Sequence, residues 1–189
     1  ALNFYGLDGS RRQLLIVGGS LGSRTLNQAM QKWISEGCPG GENVEIMWQC
    51  GKYYKQETDS FMQGRELPHI HYSDFIARMD LAYAAADVVV SRSGASSISE
   101  LCAAHKACIF VPSPNVTEDH QTHNAMALVR KDAAILIADS EAGEKMMKEA
   151  CALLADGERR KSMEKNIALL ERRDDARAIA DEVYSLLEK

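Results

Sequence analysis

The chain reads as an α/β protein built on a doubly wound parallel sheet, and three observations carry that reading. Short β-branched runs recur along the sequence with helix-period stretches between them. Two of the runs, Leu14-Leu15-Ile16-Val17 and Val88-Val89-Val90, are apolar at consecutive positions. Strands covered on both faces must look like this, whereas a strand with one wet face alternates. After Ile137 the pattern turns wholly helical.

In chain order, the segment Ala1-Leu2-Asn3-Phe4-Tyr5-Gly6-Leu7 reads as the end of a helix stopped by Gly6. It opens on alanine, and the chain is expected to be a fragment of something longer. Strands are expected over residues 14–17, 44–48, 69–72, 87–90, 107–111 and 134–137, with the two apolar runs near the sheet centre. Helices are expected over 27–34, after the small-residue stretch 91–100, and over 125–131. Pro and Gly at 37–41 and 112–114 punctuate loops between helix and strand patterns. The tail should carry helices over 140–155, 157–170 and 174–187, rich in Ala, Leu, Glu, Lys and Met, that pack on the sheet. No repeat and no low-complexity stretch divides the chain, so one domain over 1–189 is expected.

Composition narrows the class further. With 46% hydrophobic and 26% charged residues in 189, a disordered tail, a collagen-like repeat and a disulfide-stapled miniprotein are all excluded. A net charge of −5 argues against a nucleic-acid partner, since duplex binding needs a basic face to displace counterions. The five cysteines form an odd set with no Cys-x-x-Cys pair and fit a reducing cytosol. The longest apolar stretches, at 81–90 and 107–111, fall far below the ~18 residues of a membrane span.

Ligands of doubly wound sheets sit outside the carboxyl ends of the strands, so the loops after Val17, Tyr72, Val90 and Val111 are the ones that carry chemistry. The first, Gly18-Gly19-Ser20-Leu21-Gly22-Ser23, opens a helix, and its glycines let the backbone approach a phosphate while free amides face it. A tight turn with no ligand fits it equally. The loop matches neither the dinucleotide Gly-x-Gly-x-x-Gly spacing nor a Walker loop. The second stretch, Ser91 through Glu100, places Ser96 and Ser97 beside another helix start. Two roles fit Glu100: the capping-box partner of Ser97, or an acceptor for two ribose hydroxyls. In the third, a long polar loop before the helix over 125–131, His120, Gln121 and Asn124 suit sugar hydroxyls. A solvated loop with Asp119 as helix cap fits as well. The Asn115-Val116-Thr117 sequon has no meaning in a cytosolic protein. His69-x-His71 shares one strand face without a third ligand nearby, so no metal site is expected, and His105 most simply ends a helix.

Taken together, these loops resemble the C-terminal half of the MurG family, bacterial transferases that add N-acetylglucosamine to a lipid-linked muramoyl-pentapeptide in peptidoglycan synthesis. The resemblance is carried by Val17-Gly18-Gly19-Ser20-Leu21-Gly22-Ser23-Arg24-Thr25-Leu26-Asn27, by Asp74-Phe75-Ile76 with Met79 and Tyr83, by Ser91-Arg92-Ser93-Gly94-Ala95 with Glu100, and by Val111-Pro112 with His120-Gln121 and Asn124-Ala125. It implies a Rossmann-like half of a GT-B glycosyltransferase that holds UDP-N-acetylglucosamine without metal or cofactor. Ser20 would contact the diphosphate, and Ile76 would present its backbone to uracil. Ala95, Ser96 and Ser97 would serve the phosphates and sugar, Glu100 the ribose, and Gln121, with His120 beside it, the N-acetylglucosamine. His120 stands where some relatives carry a second glutamine, and Ser96-Ser97 stands where some members carry a bulkier pair. The acceptor site, the candidate general base and the surface that docks on the inner face of the cell membrane would belong to an N-terminal half. This half alone is therefore expected to bind donor without catalysing transfer. Two other readings share the architecture: a fragment of a UDP-N-acetylglucosamine 2-epimerase, and the donor-binding subunit of a two-subunit N-acetylglucosaminyltransferase. An NAD domain is disfavoured by the glycine spacing.

Overall fold

The computed structural model describes residues 1–7, 9–114, 119–171 and 184. Its strands are β1 (Arg12–Val17), β2 (Val44–Gln49), β3 (Ile70–Ser73), β4 (Val88–Ser91), β5 (Ala107–Phe110) and β6 (Ala134–Leu136). Each expected strand forms within two residues of its expected bounds. They build one sheet in the order β3-β2-β1-β4-β5-β6, every pair parallel. The chain leaves β1 toward β2 and β3 and returns on the other side at β4, so the loops after β1 and β4 part in opposite directions. A crevice opens at that switch point.

The consecutive apolar residues of β1 and β4 are explained by two cores, one on each face. Leu14, Ile16, Val88 and Val90 point to one, and Leu15, Val17 and Val89 to the other. Helices α2 (Arg24–Ser35) and α7 (Ala142–Ala155) cover the first face through Met30, Trp33, Met146 and Leu153. Helices α4 (Met79–Ala85), α5 (Ala95–Ala104) and α6 (His120–Val129) cover the second through Tyr83, Leu101 and Leu128. Each such aliphatic side chain stabilises the fold by about 1.5–3 kcal/mol relative to exposure. Of the remaining helices, α3 (Lys55–Met62) adds Met62 to the first core, and α8 (Gly157–Ala168) adds Met163 to the first and Ile167 to the second.

The short α1 (Leu2–Tyr5) ends at Gly6 in the left-handed conformation, as the sequence implies. His105 ends α5 in the same way and pairs with Glu171 at 2.9 Å. All five cysteines are free, and all but Cys38 are buried. Three helix starts differ from expectation, α2 beginning at Arg24, three residues before the expected Asn27. Helix α6 begins at His120, five residues before the expected Ala125, and α5 begins at Ala95 with Gly94 as its cap. His69 lies in the turn ahead of β3, not on the strand, while His71 pairs with Glu45 at 3.1 Å. The expected helix over 174–187, apart from Tyr184, and the sequon Asn115-Val116-Thr117 lie outside the described residues. Among the described residues no helix is long and apolar enough to cross a membrane.

Candidate functional site

The loop after β1 is a tight turn forced by packing. A Cβ on Gly18 would lie 2.5 Å from the Ser23 amide nitrogen, and one on Gly22 would lie 2.2 Å from the Cys50 carbonyl oxygen. Gly51, after β2, would clash with Gly22 in turn, so the two loops touch backbone to backbone. Gly19, at φ 85°, is different: a Cβ there meets nothing within 4 Å. Ser23 then caps α2, its hydroxyl accepting from the Leu26 amide at 3.4 Å. Buried Asn27 locks the helix to β2 by donating to the Cys50 carbonyl (2.8 Å) and accepting from the Trp48 indole (2.9 Å).

The loop after β4 leads into α5 without a side-chain cap. Ser97 is therefore the third residue of the helix and cannot be its N-cap, so the capping box that the Ser97 and Glu100 spacing suggests does not form. The helix starts early because Gly94 adopts an extended conformation (φ −65°, ψ 153°) and its carbonyl accepts from the Ile98 amide at 3.0 Å. The amides of the first turn keep no intrahelical partner. Glu100 is engaged elsewhere: its Oε2 accepts the Tyr83 hydroxyl at 2.9 Å. Burial, reinforced by that bond and by the carboxylate charge, pushes the Tyr83 phenol well above its ordinary pKa.

Arg92 ties the loops together. Its Nη1 donates to the Val111 and Pro112 carbonyls (2.8 and 3.0 Å) and to the Asp139 carboxylate, while its Nη2 donates to the Ser23 hydroxyl (2.7 Å). Asp139 also accepts from the Thr25 hydroxyl at 3.0 Å. Four loop regions, after β1, β4, β5 and β6, thus converge on one guanidinium. A second set of bonds fixes the start of α6. The Ser93 hydroxyl donates to the Gln121 carbonyl at 2.8 Å, and the Gln121 side-chain Oε1 accepts the Ser113 amide at 2.9 Å. These two bonds hold Gln121 in a first helical turn where the composition suggested loop. Asp119 does occupy the N-cap position, but its carboxylate accepts the Thr122 hydroxyl (2.6 Å) and no backbone amide.

The result is a cleft of about 660 Å³ at the carboxyl ends of the central strands. The loop after β1 lines it through Gly18 and Gly19, the start of α5 through Gly94 and Ser97, and Arg92 and Gln121 border it as well. Two helix starts, those of α2 and α5, open beside it, with their positive dipole ends and amide donors suited to an anion.

Residues 13–180 match the glycosyltransferase family 28 C-terminal domain. The chain belongs to this family. Over its whole length it is 44% identical to the UDP-N-acetylglucosamine--N-acetylmuramyl-(pentapeptide) pyrophosphoryl-undecaprenol N-acetylglucosamine transferase of Parabacteroides distasonis, covering 51% of that protein. It is 47% identical to the protein of the same name from Bacteroides thetaiotaomicron, covering 50% of it. The chain thus spans about half the length of the curated relatives it matches. Acinetobacter baumannii MurG superposes with a TM-score of 0.79 at 25% identity, over 97% of this chain and 52% of that one. The fold is the Rossmann-like half of a GT-B glycosyltransferase. Relatives of these names do not favour the epimerase or two-subunit readings.

Within this family 28 domain, the residues singled out from sequence are not all in one place. Ser97 and Gln121 line the cleft. Ser20 is exposed at the tip of the first loop next to Gly19, Ala95 and Ser96 are exposed on the first turn of α5, and His120 is exposed next to Gln121. Glu100 lies farther along α5, in a separate groove with Tyr83, Met79 and Lys106. Ile76 is buried in the second core, 7% exposed as a residue, at the border of a groove it shares with Tyr72 and Phe75. Asn124 donates toward the Ser93 carbonyl at 3.4 Å and so braces the loop. Sequence reasoning assigned no role to Arg92, Asp139, Thr25 or Tyr83. Arg92 was visible as a lone cation among small residues, but Asp139, 47 positions away, carries no local signal.

Proposed function

We propose that this family 28 domain, as one unit over residues 1–189, is the UDP-N-acetylglucosamine-binding half of a hexosyltransferase. The whole enzyme would add N-acetylglucosamine to the lipid-linked muramoyl-pentapeptide of peptidoglycan synthesis, a product that growing and dividing cells consume. The observation that carries this reading is the start of α5. No side chain caps it, and Gly94 and Ser97 border the cleft there together with Gln121.

A diphosphate seated there accepts hydrogen bonds from the amides of Ala95, Ser96 and Ser97 and from the Ser97 hydroxyl, with Ser20 and the Gly19 backbone on its other side. The amide oxygen of Gln121 is already committed to Ser113, so its NH2 group is the end that donates to sugar hydroxyls, with His120 beside it. Glu100 accepts the ribose hydroxyls, and the backbone at Ile76 reads the uracil edge. None of these contacts calls for a metal or cofactor. Acceptor positioning and proton abstraction fall to the N-terminal half of the whole enzyme, which works as a peripheral protein on the inner face of the cell membrane. Positioning accounts for much of catalysis, with effective molarities up to ~10⁵ M or more, so this half alone transfers no sugar.

Titration calorimetry tests the reading. UDP and UDP-N-acetylglucosamine should bind in preference to ADP and GDP, and a chelator should leave the affinities unchanged. Equal binding of UDP and ADP, or loss of binding with the chelator, would sink it.

A further inference from the structure

We propose that Tyr83 is a positioning residue for the nucleoside: its hydroxyl holds the Glu100 carboxylate in the orientation that receives the ribose diol. This inference rests on the reading of Glu100 as the ribose acceptor and deepens it.

The two side chains differ in a way that gives each a part. Tyr83 is 8% exposed, and its ring belongs to the second core with Leu15, Ile76 and Leu101. Glu100 is exposed. A solvent-facing glutamate samples several rotamers, and ordering them on binding opposes affinity. Here the Tyr83 hydroxyl donates to Glu100 Oε2 at 2.9 Å, so a side chain fixed by the core anchors a mobile one.

An ionised carboxylate only accepts, at about four lone-pair sites on its two oxygens. Tyr83 fills one of these sites, and a vicinal diol takes two more, so the three donors are compatible on one carboxylate. A phenol is protonated, hence a donor, at neutral pH, and burial raises its pKa further.

Topology adds a second consequence. Tyr83 sits on α4, the helix that follows Ile76, and Tyr83 and Ile76 share one core cluster, while Glu100 sits on α5. The bond therefore joins the segment that reads the base to the residue that reads the ribose, across two helices. An ordinary core tyrosine whose hydroxyl had found a nearby acceptor would support the fold and nothing more, and the two roles separate by experiment.

Calorimetry with UDP and 2′-deoxy-UDP, on wild type, Tyr83→Phe, Glu100→Gln and the double variant, is accompanied by melting curves. Phenylalanine keeps the ring, so the fold should persist. Wild type should prefer UDP. Tyr83→Phe should weaken UDP by about fivefold, the size of one hydrogen bond, while 2′-deoxy-UDP loses less and the gap narrows. Glu100→Gln should nearly close the gap, and adding Tyr83→Phe to it should change little, as coupled residues require. Wild-type affinities in Tyr83→Phe, or equal losses for both ligands with a lowered melting temperature, would leave Tyr83 a structural residue and overturn the proposal. A wild type indifferent to the 2′-hydroxyl, or a Glu100→Gln that keeps the full gap, would instead locate the failure in the reading of Glu100 and take the proposal with it.

Discussion

The two ends of the sheet use their polar groups differently. At the amino end most of them pair with one another, although Gln13 Oε1 is buried without a hydrogen-bond partner among the described residues. Asp87 accepts the Gln13 amide at 2.9 Å and faces Arg12 and Arg160 at 3.7 and 3.9 Å. Gln13 Nε2 and His71 both engage Glu45, Arg160 donates to the Leu154 carbonyl, and Lys106 donates to the Ala86 carbonyl. At the carboxyl end one cluster, Arg92 with Asp139, Ser23 and Thr25, is internally paired, but it surrounds a cleft whose α5 start has no side-chain cap. Buried and half-buried polar groups normally find partners. The amino end is held together chiefly by protein–protein pairing, and the uncapped start of α5 at the carboxyl end leaves amide donors for the ligand proposed above.

Glycine substitutions give the largest expected effect and separate packing from binding within the carboxyl end itself. Gly22→Ala drives a Cβ to 2.2 Å from the Cys50 carbonyl at a positive φ, and should cost about 3 kcal/mol or more, a drop of roughly 6–12 °C in melting temperature. Gly19→Ala, also at positive φ but facing open space, should cost only about 1 kcal/mol while weakening UDP noticeably. Melting curves that rank the two alike would show that the first loop is not split between packing and cleft.

Arginines at the two ends sharpen the contrast. Arg160→Met removes a buried guanidinium from Asp87 and the Leu154 carbonyl, and should lower stability by about 1–3 kcal/mol with UDP affinity unchanged. Arg92→Ala frees the loops after β1, β5 and β6 and leaves the Asp139 carboxylate without its counter-charge, bonded, among the described residues, only to the Thr25 hydroxyl, where it repels a diphosphate. UDP should then bind about tenfold more weakly. Parallel affinity losses in the two variants, measured by calorimetry, would erase the distinction between the ends.

The smallest effect is a pH dependence confined to the amino end. Burial lowers the Lys106 pKa below the ordinary lysine value of 10.5, against the opposing pull of Glu164 and Asp87. In the alkaline window beneath that value the unfolded chain binds more protons than the folded one, so this contribution to stability rises with pH there. Lys106→Met should flatten the rise, seen in urea unfolding across that range, and leave UDP affinity alone. An unchanged slope would mean that Lys106 titrates as it does in the unfolded chain.

Much of the fold was legible because burial leaves a local trace. The doubled apolar run of β1 announced a strand covered on both faces, and Gly6 and His105 marked helix ends that formed. The candidate site was legible only in part. Ser97 and Gln121 do meet at the cleft, but the spacing of Ser97 and Glu100 suggested a capping box that Gly94 pre-empts by starting the helix earlier. The start of α6 at His120 was hidden for a similar reason, since the bonds that stabilise its first turn come from Ser93 and Ser113.

By itself, then, the sequence determined which segments become strands, that they lie in one parallel sheet, and which loops border the cleft, because apolar periodicity and small residues act over a few neighbouring positions. The tertiary structure alone decided which polar groups are used up internally. Arg92 reaches Asp139 across 47 positions and Tyr83 reaches Glu100 across 17, and only the order β3-β2-β1-β4-β5-β6 brings their elements together. A hydrogen bond acts over about 3 Å, so no spacing along the chain reveals it until the sheet has closed the distance.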